Sequence, residues 1–573
     1  MTNLYDQIKL LYDQQLYSNV ISLSNLVLSL TDHNNDLLNP TSKFLIYVHC
    51  ADSYLHLADY RKAESFYRKS LQFRKFLLKS KNGAKPINQD NYKDLTSDND
   101  IKYQIHVCLM KMKNQFEALQ VLQSIPGKQR TAKINMALAK IFHEQGMERS
   151  AITTYKEVLR ECPLALEAAE GLLSLGVKGI EVNSLIVGSS ANLSSLDWLN
   201  TWIKAHAYLH SREYNHAITA FKSLDNINFL RDNFNLLLTM GECYYYAGDD
   251  KNALSCLRRA RSIEPDNRKG LDLYAALLYK GQYIKELEKL IPSLTINNEC
   301  SSEIYVAMAY TLYASRKFIR ANTLTIQAIN LNPGNIEAII LRGNTLIEQK
   351  KYQDALHQFR AAMQLKPYRY EPHKGCVDCY VGMHRLREAL NIASSACKQL
   401  GHTPRVLTLY ASVLMKDPVS VGKAKNLLDK ALAQDESYLP AVYFLAEIYE
   451  QEMNLEAAIE LLERQVDIQP TCKLHQMLGD LWARIHNEEK ALNHYAIALN
   501  LDPNNRRALE GMHRLDNTTT KFESSYYMTV GEENADPTFD VGDGLPDSDN
   551  DEVAEESETE AVWSDMDLEA NSQ

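Results

Sequence analysis

The residues with the clearest potential for chemistry are Cys376 and Cys379, which form a Cys-x-x-Cys arrangement with His373 and His384 nearby. Such a pair holds zinc when a second pair of cysteines or histidines follows at a suitable spacing. The chain has no second pair, and its 16 histidines form no cluster. We therefore predict that both cysteines pack in the core along one helix, and that the chain binds no metal and no cofactor.

Other fragments of catalytic motifs are equally incomplete. His143-Glu144 lacks the second histidine of a zinc protease, and Gly422-Lys423 lacks the upstream glycine of a phosphate-binding loop. No Gly-x-Ser-x-Gly occurs in the sequence. These absences predict no catalytic residue, no small-molecule substrate and a protein that is not an enzyme.

The elements that carry these residues belong to a repeat. Ala321, Ala355 and Ala389 are spaced by 34 residues, and another alanine follows each of them after seven positions. One copy shows the whole pattern, with small residues where two helices would cross and large rings around them: Leu478, Gly479, Trp482, Ala491, Tyr495, Ala498 and Pro503. This is the pattern of the tetratricopeptide repeat, or TPR.

Copies of the repeat run along most of the chain. The copy around Val377 lacks the small residue, and the stretch between Pro163 and Trp198 keeps the length but not the signature. A single hairpin cannot bury its apolar face, so consecutive copies must stack. We predict an all-α TPR superhelical solenoid of about fourteen helix pairs, which leaves no room for a separate catalytic domain.

Composition limits the cellular locations and the classes of partner that we expect. The chain begins without a basic or apolar signal segment, its ten cysteines are scattered, and no apolar stretch approaches the roughly 18 residues of a membrane span. We expect reduced thiols, no membrane crossing, and a cytosolic or nuclear location. Outside the acidic C-terminal segment, the small excess of basic over acidic residues is spread along the repeats, so no nucleic acid is expected as a partner.

Charge and composition divide the chain. After Lys521 there are 17 acidic residues and no lysine or arginine, which leaves a body of 62 basic and 56 acidic residues. Such a segment is predicted to be a disordered acidic tail. The predicted organisation is N-terminal TPR-like helices at 1–78, a polar loop or linker at 79–98, an N-terminal TPR array at 99–230, a C-terminal array at 231–516 and the tail at 517–573. Serines followed by an acidic residue three positions later suit an acid-directed kinase, although a solubilising tail is equally open: Ser548, Ser557 and Ser564.

The array predicts where binding would occur. The first helix of each pair lines a concave groove that can hold an extended peptide or a helix. With the signature small residue as position eight, the groove candidates are the residues at positions five and nine of several copies, although packing between repeats would explain them as well: Tyr310, Asn344, Leu409, Tyr443 and Glu447. No copy has the lysine and asparagine that clamp a terminal carboxylate in chaperone-binding repeats, since Lys374 is followed by Asp378.

Outside the signature positions, particular segments resemble one family. They include the weak stretch after Pro163, so shared repeat architecture cannot explain them: Lys133–Met136, Tyr155–Leu166, Gly171–Ser174, Leu196–Leu199, Trp202–Ala205, Leu230–Asn233, Ala247–Asp249, Asp417–Val419, Lys423–Lys425, Leu427–Leu432 and Leu499–Met512. On these segments the chain resembles the subunit-seven family of the anaphase-promoting complex, the large ubiquitin ligase of mitosis. That family also ends in an acidic tail with a tryptophan, as here at Trp563.

The resemblance implies a non-catalytic TPR scaffold subunit in the cell-cycle control of protein ubiquitination. It implies a homodimer through the N-terminal repeats, stacking on the other TPR subunits of the complex, and contacts with its small extended subunits. The first helix pair is rich in apolar residues that need cover, which makes them the candidates for a dimer interface: Leu4, Ile8, Leu11, Val20, Leu23, Leu26 and Leu30.

Two other functions stay open on the sequence. One is a TPR adaptor in another assembly, such as a co-chaperone or a ciliary transport particle. The other is a transferase preceded by TPR repeats, which would need a domain without repeats after Leu515. The proteins that co-purify with the chain distinguish the first of these from the ligase scaffold.

Overall fold

The structure is a computed structural model, and it describes residues 4–33, 38–80, 97–188, 197–227, 230–295 and 301–515. The regular elements in these ranges are helices. Those ranges contain no strand. Two compact units divide the chain, residues 1–441 and residues 442–573. Each unit is described by itself.

The first unit is a series of antiparallel hairpins, in which a first helix (A) packs on a second helix (B). Its helices are α1 (Leu4–Asp13), α2 (Tyr17–His33), α3 (Pro40–His56), α4 (Tyr60–Ser80), α5 (Asp98–Lys111), α6 (Gln115–Gln123), α7 (Ala132–Glu144), α8 (Glu148–Glu161), α9 (Leu166–Ser174), α10 (Gly179–Gly188), α11 (Asp197–His210), α12 (Tyr214–Asp225), α13 (Phe234–Ala247), α14 (Asp250–Ile263), α15 (Leu271–Lys280), α16 (Ile284–Thr295), α17 (Ser302–Ala314), α18 (Phe318–Leu331), α19 (Ile336–Glu348), α20 (Tyr352–Leu365), α21 (Tyr370–Gly382), α22 (Leu386–Leu400), α23 (Pro404–Leu414) and α24 (Val421–Gln434).

The second unit continues the same motif. The boundary between the units falls inside α25 (Leu439–Gln451), and the later helices are α26 (Leu455–Ile468), α27 (Cys472–Arg484), α28 (Glu488–Leu501) and a final helix, α29 (506–515). The helices α1 to α28 make fourteen pairs, so the predicted all-α array of TPR hairpins is confirmed. The predicted division at residues 230 and 231 stays a prediction, and the tail at 517–573 lies outside the described residues.

Tight turns between the A and B helices explain the antiparallel pairing. The residue seven positions after the signature small residue adopts a left-handed conformation in most copies, as at Gly248 (φ 97°) and Lys350 (φ 59°). The next helix then often begins with an acidic or amide side chain that caps it. Asp249 accepts a hydrogen bond from the Asn252 backbone, and Asn454 accepts one from the Ala457 backbone. One reversed residue and one cap thus turn the chain back on itself.

The core of the first unit shows why the repeat needs small residues. Phe359 of α20 is fully buried between α19 and α21. A Cβ added at Gly343 would lie 2.5 Å from the Phe359 ring, and one at Gly375 would be closer still. The prediction that the helix crossing needs a small residue is confirmed at Gly343. Gly375 explains how the next copy tolerates Val377, because the room for the ring comes from two residues earlier.

The second unit repeats this arrangement. Tyr495 of α28 is buried, and Cβ atoms at Gly479 and Gly511 would lie 2.6 and 2.5 Å from its ring. Its hydroxyl donates to the Asp480 carboxylate over 2.6 Å. In both units, therefore, the buried ring packs against two glycines that are 32 residues apart, one before the ring in the sequence and one after it.

Candidate functional site

The predicted groove candidates occupy different environments. In the first unit, Tyr310 and Leu409 are buried and Asn344 is half-buried. In the second unit, the Tyr443 ring lies under the Lys473 ammonium at 4.2 Å, and Glu447 is exposed. Leu409 joins the apolar core around Phe359, while the buried Tyr310 lies within electrostatic reach of an interior cluster that includes Glu337 and Arg369. Partner contact by any of the five stays a prediction.

Arg369, immediately before α21, is the centre of that interior cluster. Its guanidinium donates to the carboxylate of Glu337, to Glu371 Oε2 at 3.0 Å and to the hydroxyl of Tyr245 at 3.1 Å. The guanidinium carbon also lies 4.9 Å from the Tyr245 ring centroid, a cation–π distance. Because Arg369 and Tyr245 are 124 residues apart, this contact joins the end of α13 to the start of α21.

The charges of the Arg369 cluster balance one another. Burial alone acts to lower the pKa of Arg369, but Glu337 and its neighbours outweigh it and raise the pKa well above its usual value. Burial alone would raise the pKa of Glu371, yet Arg369 and Arg405 lower it to about 2. Burial raises the pKa of Glu337, although Arg369 lies beside it. The buried Arg369 cation thus has hydrogen-bond acceptors in two carboxylates and one phenol, which offset the cost of its burial.

Two recesses adjoin the cluster. One is a cavity of about 490 Å³, here called the tyrosine–arginine cavity. Its lining includes Arg212, Tyr214, Tyr245, Tyr246, Tyr368, Arg369, Tyr370, Glu371, Pro404, Arg405, Asp435 and Tyr438. The other recess, of about 360 Å³, is lined by Glu242, Asp272, Glu303, Glu337, Lys269 and Lys366, among others. Tyr246 and Arg369 line both, so the cluster forms part of the wall of each recess.

The N-terminal candidates divide by exposure. Ile8 and Val20 are fully buried against Ile46 of α3, and Leu11 and Leu23 are partly buried beside them. The remaining predicted leucines are exposed: Leu4, Leu26 and Leu30, at 40%, 65% and 57%. The exposed leucines are the ones that a partner could cover.

The two cysteines singled out for metal chemistry lie in the core. Cys376 and Cys379 are fully buried along α21, and burial raises the pKa of both thiols to about 12. Within the described ranges, no group of three or more His, Cys, Asp or Glu side chains is placed to hold a metal ion. None of the helices described is both long and apolar enough to cross a membrane. Ser548, Ser557 and Ser564 lie outside the described residues.

Sequence reasoning missed the Arg369 cluster and the tyrosine–arginine cavity. It considered positions five and nine of each copy, whereas Glu337 and Glu371 occupy position two, and Tyr245 and Tyr246 occupy positions twelve and thirteen. The run Tyr244-Tyr245-Tyr246 and the two position-two glutamates, 34 residues apart, were the available signals.

Comparisons with known proteins agree on the repeat. One family model described as tetratricopeptide repeat matches residues 346–413 and 421–479, and another matches residues 236–267. The solved structure titled "Crystal structure of APC/C hetero-tetramer Cut9-Hcn1" aligns with a TM-score of 0.57 and 17% identity, covering 89% of this chain and 96% of that one. At this identity the match shows the fold alone.

Sequence relatives are more specific. The chain is 37% identical over 518 residues to a Homo sapiens protein named "Anaphase-promoting complex subunit 7", covering 90% of this chain and 92% of the relative. Proteins of the same name match from Mus musculus, at 38% with 87% and 89% covered, and from Arabidopsis thaliana, at 26% with 81% and 85% covered.

Proposed function

Since this chain belongs to the family of anaphase-promoting complex subunit 7, we propose that it is a non-catalytic scaffold of that ubiquitin ligase. In this role it stacks with the other TPR subunits, holds small extended subunits and acts in the cell cycle from the nucleus and cytoplasm, including the spindle. The observation that carries the proposal is the 37% identity across 90% of the chain. The hairpins throughout the described residues support a binding role.

Affinity purification of the tagged full chain, followed by mass spectrometry, tests the assembly. The expected result is recovery of the ligase's cullin, RING and TPR subunits in constant ratio. A purification dominated by chaperones or by a ciliary transport particle would contradict the proposal. Purified chain should carry out no ubiquitin transfer without the cullin and RING subunits, and transfer by the isolated chain would contradict the non-catalytic role.

The same proposal includes a homodimer formed through the N-terminal repeats. The support is physical: Leu26 and Leu30 lie one helical turn apart on α2, and both are exposed. Covering a leucine fully is worth about 1.5–3 kcal/mol, which favours a partner surface over water. Leu16 and Leu10 are also exposed nearby, so the apolar surface of the first pair is extended.

A double substitution tests the dimer in the full chain. We expect L26E/L30E to reduce the mass measured by light scattering from twice the chain mass of 65.3 kDa to once that mass, because two charges would enter an apolar contact. Leu501→Glu, at an exposed leucine of the second unit, is the matched control and should remain dimeric. A dimer that persists in L26E/L30E with unchanged helicity would place self-association elsewhere.

A further inference from the structure

The tyrosine–arginine cavity is assembled from distant parts of the first unit. Arg212 and Tyr214 come from the α11–α12 turn, while Tyr368 and Tyr370 come from the start of α21. The Arg212 guanidinium carbon lies 3.1 Å from the Tyr368 ring centroid, so these two walls meet at one edge of the cavity. Volumes of several hundred cubic ångströms are typical of ligand sites.

Carboxylates that line the cavity already have partners. Glu371 accepts from Arg369, and Glu213 lies 3.1 Å from the imidazole Nδ1 of His216. Asp435 accepts from the backbone N–H of Ser437 at 3.1 Å and from its hydroxyl at 2.8 Å. Each of the three carboxylates therefore already has a partner within the chain.

Hydrogen-bond donors in the lining are in excess. Within the described ranges, one of the five guanidinium N–H groups of Arg405 reaches an acceptor, Glu371 Oε1, over a long 3.4 Å. Among the described residues, Arg212 contacts the face of Tyr368 but has no hydrogen-bond acceptor. The hydroxyls of Tyr214, Tyr370 and Tyr438 likewise have no acceptor in the described part of the chain. A lining rich in unused donors suits a ligand rich in acceptors.

The rest of the lining is apolar or aromatic. Pro404, Val406 and Leu400 lie beside the tyrosine rings, and the Arg405 guanidinium stacks 4.5 Å from the Tyr370 centroid. Rings and aliphatic groups around charged donors accommodate a side chain that is bulky and apolar next to one that is anionic.

We propose that the tyrosine–arginine cavity binds an acidic segment of a partner protein, with Arg212 and Arg405 holding a carboxylate and the tyrosines holding an adjacent aromatic or branched side chain. This inference rests on the proposed scaffold function and adds the chemistry of the segment that is held. It also places the site beside the buried Arg369 cluster, which forms part of the cavity wall.

Fluorescence anisotropy on the full chain tests the site. The probe is a short fluorescein-labelled peptide with four carboxylates around one tryptophan, and its matched control carries the corresponding amides. At low ionic strength we expect the acidic peptide to bind at least about tenfold more tightly than the amide peptide, since charge-assisted hydrogen bonds would be lost. The acidic segment after Lys521 is present in every variant.

Arg212→Glu is the main variant, because Arg212 is exposed and its substitution leaves the buried network intact. We expect its Kd for the acidic peptide to rise about tenfold or more. Arg405→Gln should do the same, and Arg405→Lys should restore part of the affinity. Arg160→Glu, the same charge change at an exposed residue of α8 outside the cavity, should have little effect.

Three results would overturn the assignment: no binding of the acidic peptide, equal binding of the amide peptide, or equal weakening by R160E and R212E. Co-purification of R212E with the ligase subunits is measured in parallel. If R212E loses the peptide but still assembles, the cavity assignment and the scaffold function both stand. If the wild-type chain binds the peptide as expected but recovers no ligase subunits, the scaffold function fails and the cavity chemistry remains.

Discussion

At the scale of single residues, Arg369 is a buried cation whose loss should destabilise the first unit. Arg369→Met would leave the buried Glu337 without its cation and would leave Glu371 with Arg405 as its remaining one. Breaking a buried ion pair from one side typically costs about 3–5 kcal/mol, more than removing an exposed pair. We expect urea unfolding of the Arg369→Met protein, followed by circular dichroism, to show a loss of that order for the first unit.

The matched control for that substitution is Arg464→Met, which removes an arginine paired with Glu460 on the exposed surface of α26. Exposed pairs contribute about 0–1 kcal/mol, so little change is expected. A loss for Arg369→Met no larger than that of the control would mean that the cluster contributes little to stability.

Because of Glu371, we expect the stability of the fold to depend on pH in the acidic range. Its pKa in the folded chain is about 2, below the ordinary value of 4.5. The unfolded chain therefore takes up the proton first, so the contribution of Glu371 is fully present above about pH 4.5 and is lost as the pH falls towards 2. The stability difference between the wild type and Glu371→Gln should shrink over this interval, by at most about 1.4 kcal/mol per pH unit. A difference that stays constant or grows on acidification would show that Glu371 is not the group responsible.

At the scale of the element, the glycines beside Phe359 decide whether a hairpin can close. A Cβ at Gly343 or Gly375 would press on the ring of a fully buried side chain. We expect Gly343→Ala and Gly375→Ala each to destabilise the first unit by about 1–3 kcal/mol, as overpacking does. Thermal unfolding measures this effect.

Gly422→Ala is the control for these two glycines, since a Cβ there meets no atom within 4 Å and the residue lies inside α24. That change should stabilise by roughly 0.5–1 kcal/mol through helix propensity. Adding Phe359→Leu to Gly343→Ala should recover part of the loss, and a loss that is unchanged would locate the strain elsewhere.

The same element-level rules explain what could be predicted from the sequence. Spacing and small residues such as Gly343 were sufficient for the hairpins and their order, because a TPR pair is defined by contacts between residues close in sequence. Arg369 and Tyr245 are 124 residues apart, and their contact depends on the small rotation added by each intervening pair. No local pattern encodes that sum. The dual environment of the groove candidates, with Tyr310 buried and Glu447 exposed, has the same origin.

At the scale of the whole molecule, a chain of hairpins distributes its stability among neighbours. Each pair contacts the pairs next to it, so a defect should weaken nearby hairpins and fade with distance along the array. Contacts between distant repeats, such as Arg369 with Tyr245, add a second route by which a defect can reach α13. These two routes make different predictions for hydrogen exchange.

Phe359→Ala distinguishes the two routes, because the ring is fully buried between α19 and α21 and its loss leaves a cavity. We expect faster amide exchange in α19, α20 and α21, measured by mass spectrometry on the full chain, and no change in α5 to α8. If the Arg369 cluster couples α21 to α13, the amides of α13 should also exchange faster, although α13 is far from Phe359 in the sequence. The control is Phe359→Ala combined with Arg369→Met, in which the coupling is already broken, so the added effect of Phe359→Ala on α13 should disappear. Exchange that rises equally in every helix would instead mean that the first unit unfolds as one cooperative body.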